Sequence, residues 1–573
     1  MKEKVFIWAG AMLCLAYLLP NHSSPWFSFH QEFVAALAFA PIIAWSSTRS
    51  GPIPAPTYAV GALAMVPLIQ FMAGQIYFAT DAWMASLYLM GFALTARAGA
   101  LSTENVKHGN KKTNGPIEIL WSALLVSALL SAGIAVHQWL MPNYQGIYIA
   151  EIPPTARPFA NLAQPNQLAT LLLLGIAGLA FLWEARRVRA SLAIVAAFML
   201  LWALVMTGSR SALLALVWLV PAYAFLRKRC KLRTTPAAFI TGVAFFFLAM
   251  WLWPILDNLL LLNASTSTAL ERMGNTGIRS VIWLSMLDAI AREPLFGYGW
   301  GQVSLAQLAV TLDHPATHLL LESAHNLLFD LALWNGLPVA LAIISSLAYW
   351  FYHQVRYCND PLRWTTLAGV AVVFNHAMVE FPLNYIYFLL PVGFLMGSLS
   401  AQAILRPISI SPLPPMKKLH GMIIACTLYV GGLTTLAVID YFPIETDWEL
   451  MRFQQAKIGN LEKFDPPSVV LLTSLQNFLR FSRSEARPGM SEKDLETMRR
   501  NSERFAYAAP MFKYALAQAL NHQPENALTT LRKMCSIQPD SVCRSAKKEW
   551  ERLALSTHPE LSKIIFTTPS LAN

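Results

Sequence analysis

Apolar runs of about 15 to 20 residues alternate with short polar stretches up to about residue 440. The pattern then changes to mixed apolar and charged positions at helical spacing. The runs predict membrane-spanning helices at about 5–19, 33–47, 56–73, 79–96, 117–136, 166–183, 191–207, 211–226, 237–255, 325–352, 364–380, 385–403 and 419–439, thirteen in all. In lipid an isolated segment satisfies its own backbone only as a helix, so each run is expected to be one. The expected fold class is therefore all-α, a polytopic membrane helix bundle over 1–439 followed by a soluble helical domain over 440–573.

Composition agrees with this. Of the 573 residues 55% are hydrophobic and 13% charged, against roughly a quarter charged in a soluble chain. With a mean hydropathy of +0.44, that excludes a disordered or ordinary cytosolic protein. The net charge of +11 would suit nucleic-acid binding, but its distribution records topology instead. With Lys2 and Lys4 inside, 20 basic residues fall on the inner side, among them Lys111, Lys112 and Arg406. The outer loops before residue 440 carry five: Arg157, Arg210, Arg272, Arg279 and Arg292. No nucleic-acid partner is expected; the lipid bilayer is. The first span lacks a small-residue cleavage site and reads as an uncleaved anchor. An odd number of spans places 440–573 outside, where 18 basic and 16 acidic residues make it nearly neutral. Within it Lys513–Asp540 has the small residues, polar turn and Pro-Asp stop of one tetratricopeptide-type hairpin. Such repeats need about three copies to stack, so plain packing explains it equally well.

Chemistry is expected in the outer loops, of which about 137–165 and 256–324 are long. Arg210, in the tight turn Thr207-Gly208-Ser209-Arg210-Ser211, opposes the charge rule there. Either it snorkels, or its fork of permanent donors holds an anion such as phosphate. Arg279 stands among apolar and aromatic residues, with Trp283 four positions on, as on a short amphipathic helix along the membrane surface. The later Gly297-x-Gly299 turn lacks the spacing of a nucleotide loop. His325, beside Asn326 at the mouth of the tenth span, is a candidate base for a hydroxyl. Glu322 would orient it if both are helical. His314 and His318 share that loop, so histidine alone does not single out 325. Arg157 through Gln167 supplies amides, among them Gln164 and Asn166, for sugar hydroxyls; capping of the sixth span by Asn166 is an equally good account. Cys535 and Cys543, eight residues apart on the outer side, would form a local disulfide in an oxidising compartment, though spacing alone does not settle it. No cysteine or histidine grouping suggests a metal site.

Taken in order, the segments around Gln164 and Asn166, the Ser209-Arg210 turn, the Arg279…Trp283…Pro294…Gly297-x-Gly299 loop and His325-Asn326 resemble the O-antigen ligase/polymerase superfamily over about 120–400. Leu19-Pro20-Asn21-His22 through Glu32, together with Glu380-Phe381-Pro382-Leu383-Asn384-Tyr385, resembles its PglL-type protein O-oligosaccharyltransferase branch. Ala160 departs from the family's usual glycine, which bears on the loop's conformation. The resemblance implies a GT-C-like bundle in the bacterial inner membrane, with the N-terminus cytoplasmic and the active site and C-terminal domain periplasmic. It implies en bloc transfer of an oligosaccharide from undecaprenyl diphosphate to Ser or Thr of a periplasmic acceptor protein such as pilin. It further implies an inverting reaction with no cofactor, metal ion or nucleotide sugar. His325, Arg279 and Arg210 would be catalytic. Gln164, Asn166, Arg157, Asn326, Glu322 and Trp283 would bind substrate. The rival readings are an O-antigen ligase acting on lipid A core, a polymerase joining lipid-linked glycans and, from another class, a membrane transporter.

Overall fold

The computed structural model describes residues 2–107, 115–141, 146–153, 156–262, 277–404, 416–456, 458 and 465–566. Arg272, Lys111, Lys112 and Arg406, counted above for topology, lie outside the described residues. Helix is the only regular structure among the described residues, and every predicted span coincides with helix. The run at 56–73 is divided into Ala55–Leu63 and Val66–Met72, with Pro67 in the first turn of the second piece, where its missing N–H costs nothing. Among the described residues, eight helical stretches are long and apolar enough to cross a membrane: Ala55–Met72, Ala79–Thr103, Pro116–Leu140, Pro165–Glu184, Arg210–Cys230, Pro236–Leu260, Leu327–Arg356 and His420–Gln455. Ala190–Met206 and Ile386–Ala401 are shorter apolar helices.

The chain forms two compact units. The first comprises 1–64, 87–275 and 346–434. Its core packs Pro116–Leu140 against Pro165–Glu184 and Lys2–Leu18, with Pro361–Ala377 also laid on Pro165–Glu184. Trp121, Leu124, Ala128, Leu168 and Leu172 are wholly buried there. The loop before Phe29–Ser47 is tied down by a buried carboxylate: Glu32 accepts from Trp26 Nε1 at 3.0 Å, from Ser28 Oγ and Tyr88 Oη, and from the Ile386 amide at 3.3 Å.

The second unit comprises 65–86, 276–345 and 435–573. One cluster gathers Ile282, Met286, Val303, Leu321 and Leu331; another gathers Leu308 with Met511, Leu531, Met534 and Trp550. The long loop thus has a core of its own, shared through Leu308 with the C-terminal helices. His318 N donates to Ser536 O at 3.0 Å and Thr311 Oγ1 to Ser536 Oγ at 2.8 Å. Ala508–Leu520 and Pro524–Ile537 pack as a hairpin, and the Cys535–Cys543 disulfide joins the latter to Asp540–Ser556. The glycine-rich turn serves packing. Gly297 (φ 68°) lies against the break at Gly336 (φ 72°, ψ 169°) in Leu327–Arg356, so closely that a Cβ on either would meet backbone. Tyr298 N to Leu333 O and Leu337 N to Pro294 O, both 2.7 Å, lock the two together.

Candidate functional site

The candidate residues divide between the units. In the first, residues 156–164 form an irregular loop that enters the left-handed region at Ala160 (φ 54°) and Ala163 (φ 57°). An L-residue resists that conformation by about 1–2 kcal/mol, which is why glycine is favoured there. Buried Gln138 sustains it. Its Oε1 accepts from the Phe159 and Ala160 amides at 3.1 and 2.8 Å, and its Nε2 donates to Ala150 O and Ala160 O at 2.9 Å each. Asn161, 1% exposed, adds bonds to Leu18 O, Tyr148 O and the Ala150 amide.

This loop delivers Gln164 to the start of Pro165–Glu184. With Pro165 in the first helical position, Gln164 occupies the cap position and makes no side-chain capping bond. Capping by Asn166 is therefore ruled out. Asn166 lies inside the helix, and its Nδ2 donates to Glu380 Oε1 at 2.9 Å, a partner 214 residues away. Next to it Gln167 accepts from Tyr387 Oη at 2.7 Å. Arg157 Nη1 donates to Thr207 O at 2.6 Å, which fastens the loop to the Arg210 turn. Gly208 (φ 53°) reverses the chain there, and half-buried Arg210 is the first residue of Arg210–Cys230. That is the positive end of the helix dipole, where a cation is disfavoured by about 0.3–1 kcal/mol and an anion is welcome.

In the second unit, Arg279 and Trp283 lie one turn apart on Gly277–Arg292, whose inner face carries Ile282, Met286, Ala289 and Ile290. Trp283 Nε1 donates to Ala324 O at 3.2 Å, and its ring meets Phe329 edge-on. His325 stands in the left-handed region (φ 53°). Asn326 caps Leu327–Arg356, its Oδ1 accepting from the Leu328 amide at 2.9 Å. Residues 321–326 are not helical, so the expected one-turn relation of Glu322 to His325 does not exist; a cap must precede the helix. Glu322 is exposed and accepts from Tyr507 Oη at 3.2 Å. Burial, then the Glu322 carboxylate, pushes the Tyr507 hydroxyl up to about 12.

His314 and His318 of the same loop are tied to groups elsewhere in the second unit. His314 Nε2 is 2.9 Å from Asp288 Oδ2, and His318 Nδ1 is 3.0 Å from Gln538 O. Arg292 is likewise engaged, with Asp288, Asp313 and Ala309 O. Hydrogen bonds from Arg292 and His314 hold the Asp288 carboxyl below its usual range. Gln138, Asn161 and Ser323 carry no sequence signal that marks them as supports of these loops. Glu380 is visible only as part of the branch motif, and Asp330 only as an acid in the first turn of a helix.

Comparison with known proteins covers these same segments. The O-antigen ligase family model matches residues 195–344, which include Arg210, Arg279 and His325. The protein glycosylation ligase model matches 158–183, which include Gln164 and Asn166. A third model, virulence factor membrane-bound polymerase, C-terminal, matches 364–552. A general O-oligosaccharyltransferase of Acinetobacter baylyi is 27% identical over 539 residues, 92% of this chain and 91% of its own. A ComP-specific O-oligosaccharyltransferase of the same organism is 30% identical over 409 residues, 69% of this chain and 70% of its own. The conclusion from site and similarity together is that the chain belongs to the PglL-type protein O-oligosaccharyltransferases, membrane glycosyltransferases of the O-antigen ligase superfamily.

Proposed function

We propose that this protein transfers a preassembled oligosaccharide en bloc from undecaprenyl diphosphate to Ser or Thr hydroxyls of periplasmic proteins, pilins among them. The observation that carries the reading is similarity to a general O-oligosaccharyltransferase along 92% of the chain. In this reading the N-terminus is cytoplasmic, and the outer loops and residues 440–573 are periplasmic.

The chemistry is an inverting displacement. The acceptor oxygen bonds to the anomeric carbon as the bond from that carbon to the diphosphate oxygen breaks. His325 takes the hydroxyl proton, and undecaprenyl diphosphate departs with the electron pair. Arg210 and Arg279 each offer a guanidinium to phosphate oxygens, stabilising negative charge as it develops. For Arg210 the helix start supports this, since a bound anion relieves the clash of its charge with the dipole. The amide of Gln164 has no hydrogen-bond partner among the described residues and suits sugar hydroxyls. Asn166, held by Glu380, keeps its carbonyl oxygen for the same purpose. Arg157 supports the Arg210 turn, and Trp283, Asn326 and Glu322 shape the surroundings of His325.

The match of 195–344 to the O-antigen ligase model favours a second reading, with a lipid A core sugar as acceptor. Deletion of the gene in its host, with intact-mass analysis of periplasmic and pilus proteins and gel analysis of lipopolysaccharide, separates the two. Loss of a fixed glycan mass from protein, restored by wild type and not by His325→Ala, is the expected result. Unchanged protein masses with loss of the lipopolysaccharide ladder would establish the ligase instead.

A further inference from the structure

The turn that carries His325 is held from within by Asp330, a carboxylate 2% exposed in the first turn of Leu327–Arg356. Its Oδ1 accepts from the Ala324 amide at 2.7 Å, and its Oδ2 accepts from Ser323 Oγ at 2.6 Å. Ser323 Oγ in turn accepts from the His325 amide at 3.0 Å. A continuous chain of bonds therefore runs from Asp330 through Ser323 to the backbone of His325. Trp283 reaches the same turn from the Arg279 helix, through Ala324 O.

A plain helix-capping role does not explain this carboxylate. Asn326 already caps the helix, through the Leu328 and Phe329 amides. Both oxygens of Asp330 instead bond backwards to the turn, and among the described residues it has no ion-pair partner. Burying an unpaired carboxylate is expensive, and a left-handed histidine costs of order 1–3 kcal/mol and persists only where its surroundings over-determine it. The two costs meet in one turn.

We propose that Asp330, acting through Ser323, is a positioning residue for His325, fixing the backbone from which the imidazole reaches the acceptor hydroxyl. The inference rests on the reading of His325 as the base. Asp330→Asn keeps an acceptor for the Ala324 amide but turns a donor toward Ser323, whose own hydroxyl proton then loses its acceptor. The turn relaxes toward ordinary backbone, and a base displaced by about 1 Å can cost up to about 100-fold in rate.

The test uses full-length protein in detergent, with lipid-linked oligosaccharide and a peptide or protein acceptor, and rates expressed per folded enzyme. Asp330→Asn is expected to lower kcat by about 10- to 100-fold while the donor KM stays within about twofold and the melting temperature holds. Ser323→Ala should show the same loss, and Ser323→Thr, which keeps the hydroxyl, should recover most of it. An inactive His325→Ala beside an Asp330→Asn enzyme within twofold of wild type overturns the inference and leaves the base in place. Loss of kcat together with a raised donor KM and a lower melting temperature makes Asp330 a structural residue and also overturns it. An active His325→Ala removes the base itself, and the inference with it.

Discussion

The Ala160–Gln164 loop of the first unit and the Ser323–Asn326 turn of the second both hold L-residues in left-handed backbone, at Ala160 and Ala163 in one and at His325 in the other. They are anchored differently. The first depends on neutral amides, Gln138 and Asn161, which can donate and accept at once and so satisfy several backbone groups without burying charge. The second depends on a carboxylate, Asp330, which can only accept and must recruit the Ser323 hydroxyl to reach an amide beyond its own. On the proposed roles, the neutral anchor suits a loop that would present binding groups, and the charged anchor makes the turn of the proposed base more sensitive to the identity of a single side chain.

The comparison can be broken from either side. The largest effect is expected at Arg279→Lys on the helix that braces the charged turn. Lysine keeps the charge but loses the planar fork, so transfer should fall by roughly 10- to 100-fold with little change in melting temperature; unchanged kinetics would remove phosphate clamping from this residue. Next is Gln138→Leu. Emptying four buried hydrogen bonds should destabilise the first unit by about 2–4 kcal/mol, read as a lower unfolding temperature, and should weaken donor binding through the Gln164 loop. An unchanged melting temperature would show that Asn161 alone suffices as anchor.

A smaller effect tests buried charge elsewhere in the second unit. Lys513 donates to Phe481 O and Ser482 O, and burial pulls its ammonium down to about 8 from an ordinary 10.5. Between those two pH values the unfolded chain binds more protons, so stability should rise with pH across that window. Tyr507, pushed up to about 12, opposes this only above about 10, where an unfolded tyrosine ionises. Thermal unfolding of wild type should show the rise, and Lys513→Met should flatten it. Smallest is Ala160→Gly, which relieves the left-handed alanine at the cost of a freer unfolded chain. The net gain is expected to stay below about 1 kcal/mol with transfer unchanged; a clear loss of stability would mean that the alanine methyl contributes packing.

Much of the proposed site is legible in the sequence because its candidate residues are concentrated in short segments. Arg210 stood out against the charge rule, His325 beside Asn326 at a span's mouth, and Gln164 just before a proline that opens a helix. What stayed hidden were the partners that hold them. Asn166 pairs with Glu380 214 residues on, Arg157 with Thr207 50 residues on, and Ala160 with Gln138 22 residues back, none at a spacing that local pattern reveals. The pairings of His314 with Asp288 and of His318 with the C-terminal backbone are equally hidden from local pattern.

The sequence by itself determined the helices and their approximate ends, because backbone hydrogen bonding in an apolar run is satisfied locally and needs no distant partner. It determined the family too, through motifs whose residue types the reaction demands. Only the tertiary structure decided that the long loop shares a core with the C-terminal helices, that the glycine-rich turn seats against the break at Gly336, and that Asp330 grips the His325 turn. Those outcomes depend on which buried polar group finds which partner once the chain has closed on itself, and a buried group left without one costs too much for the choice to be left to local preference.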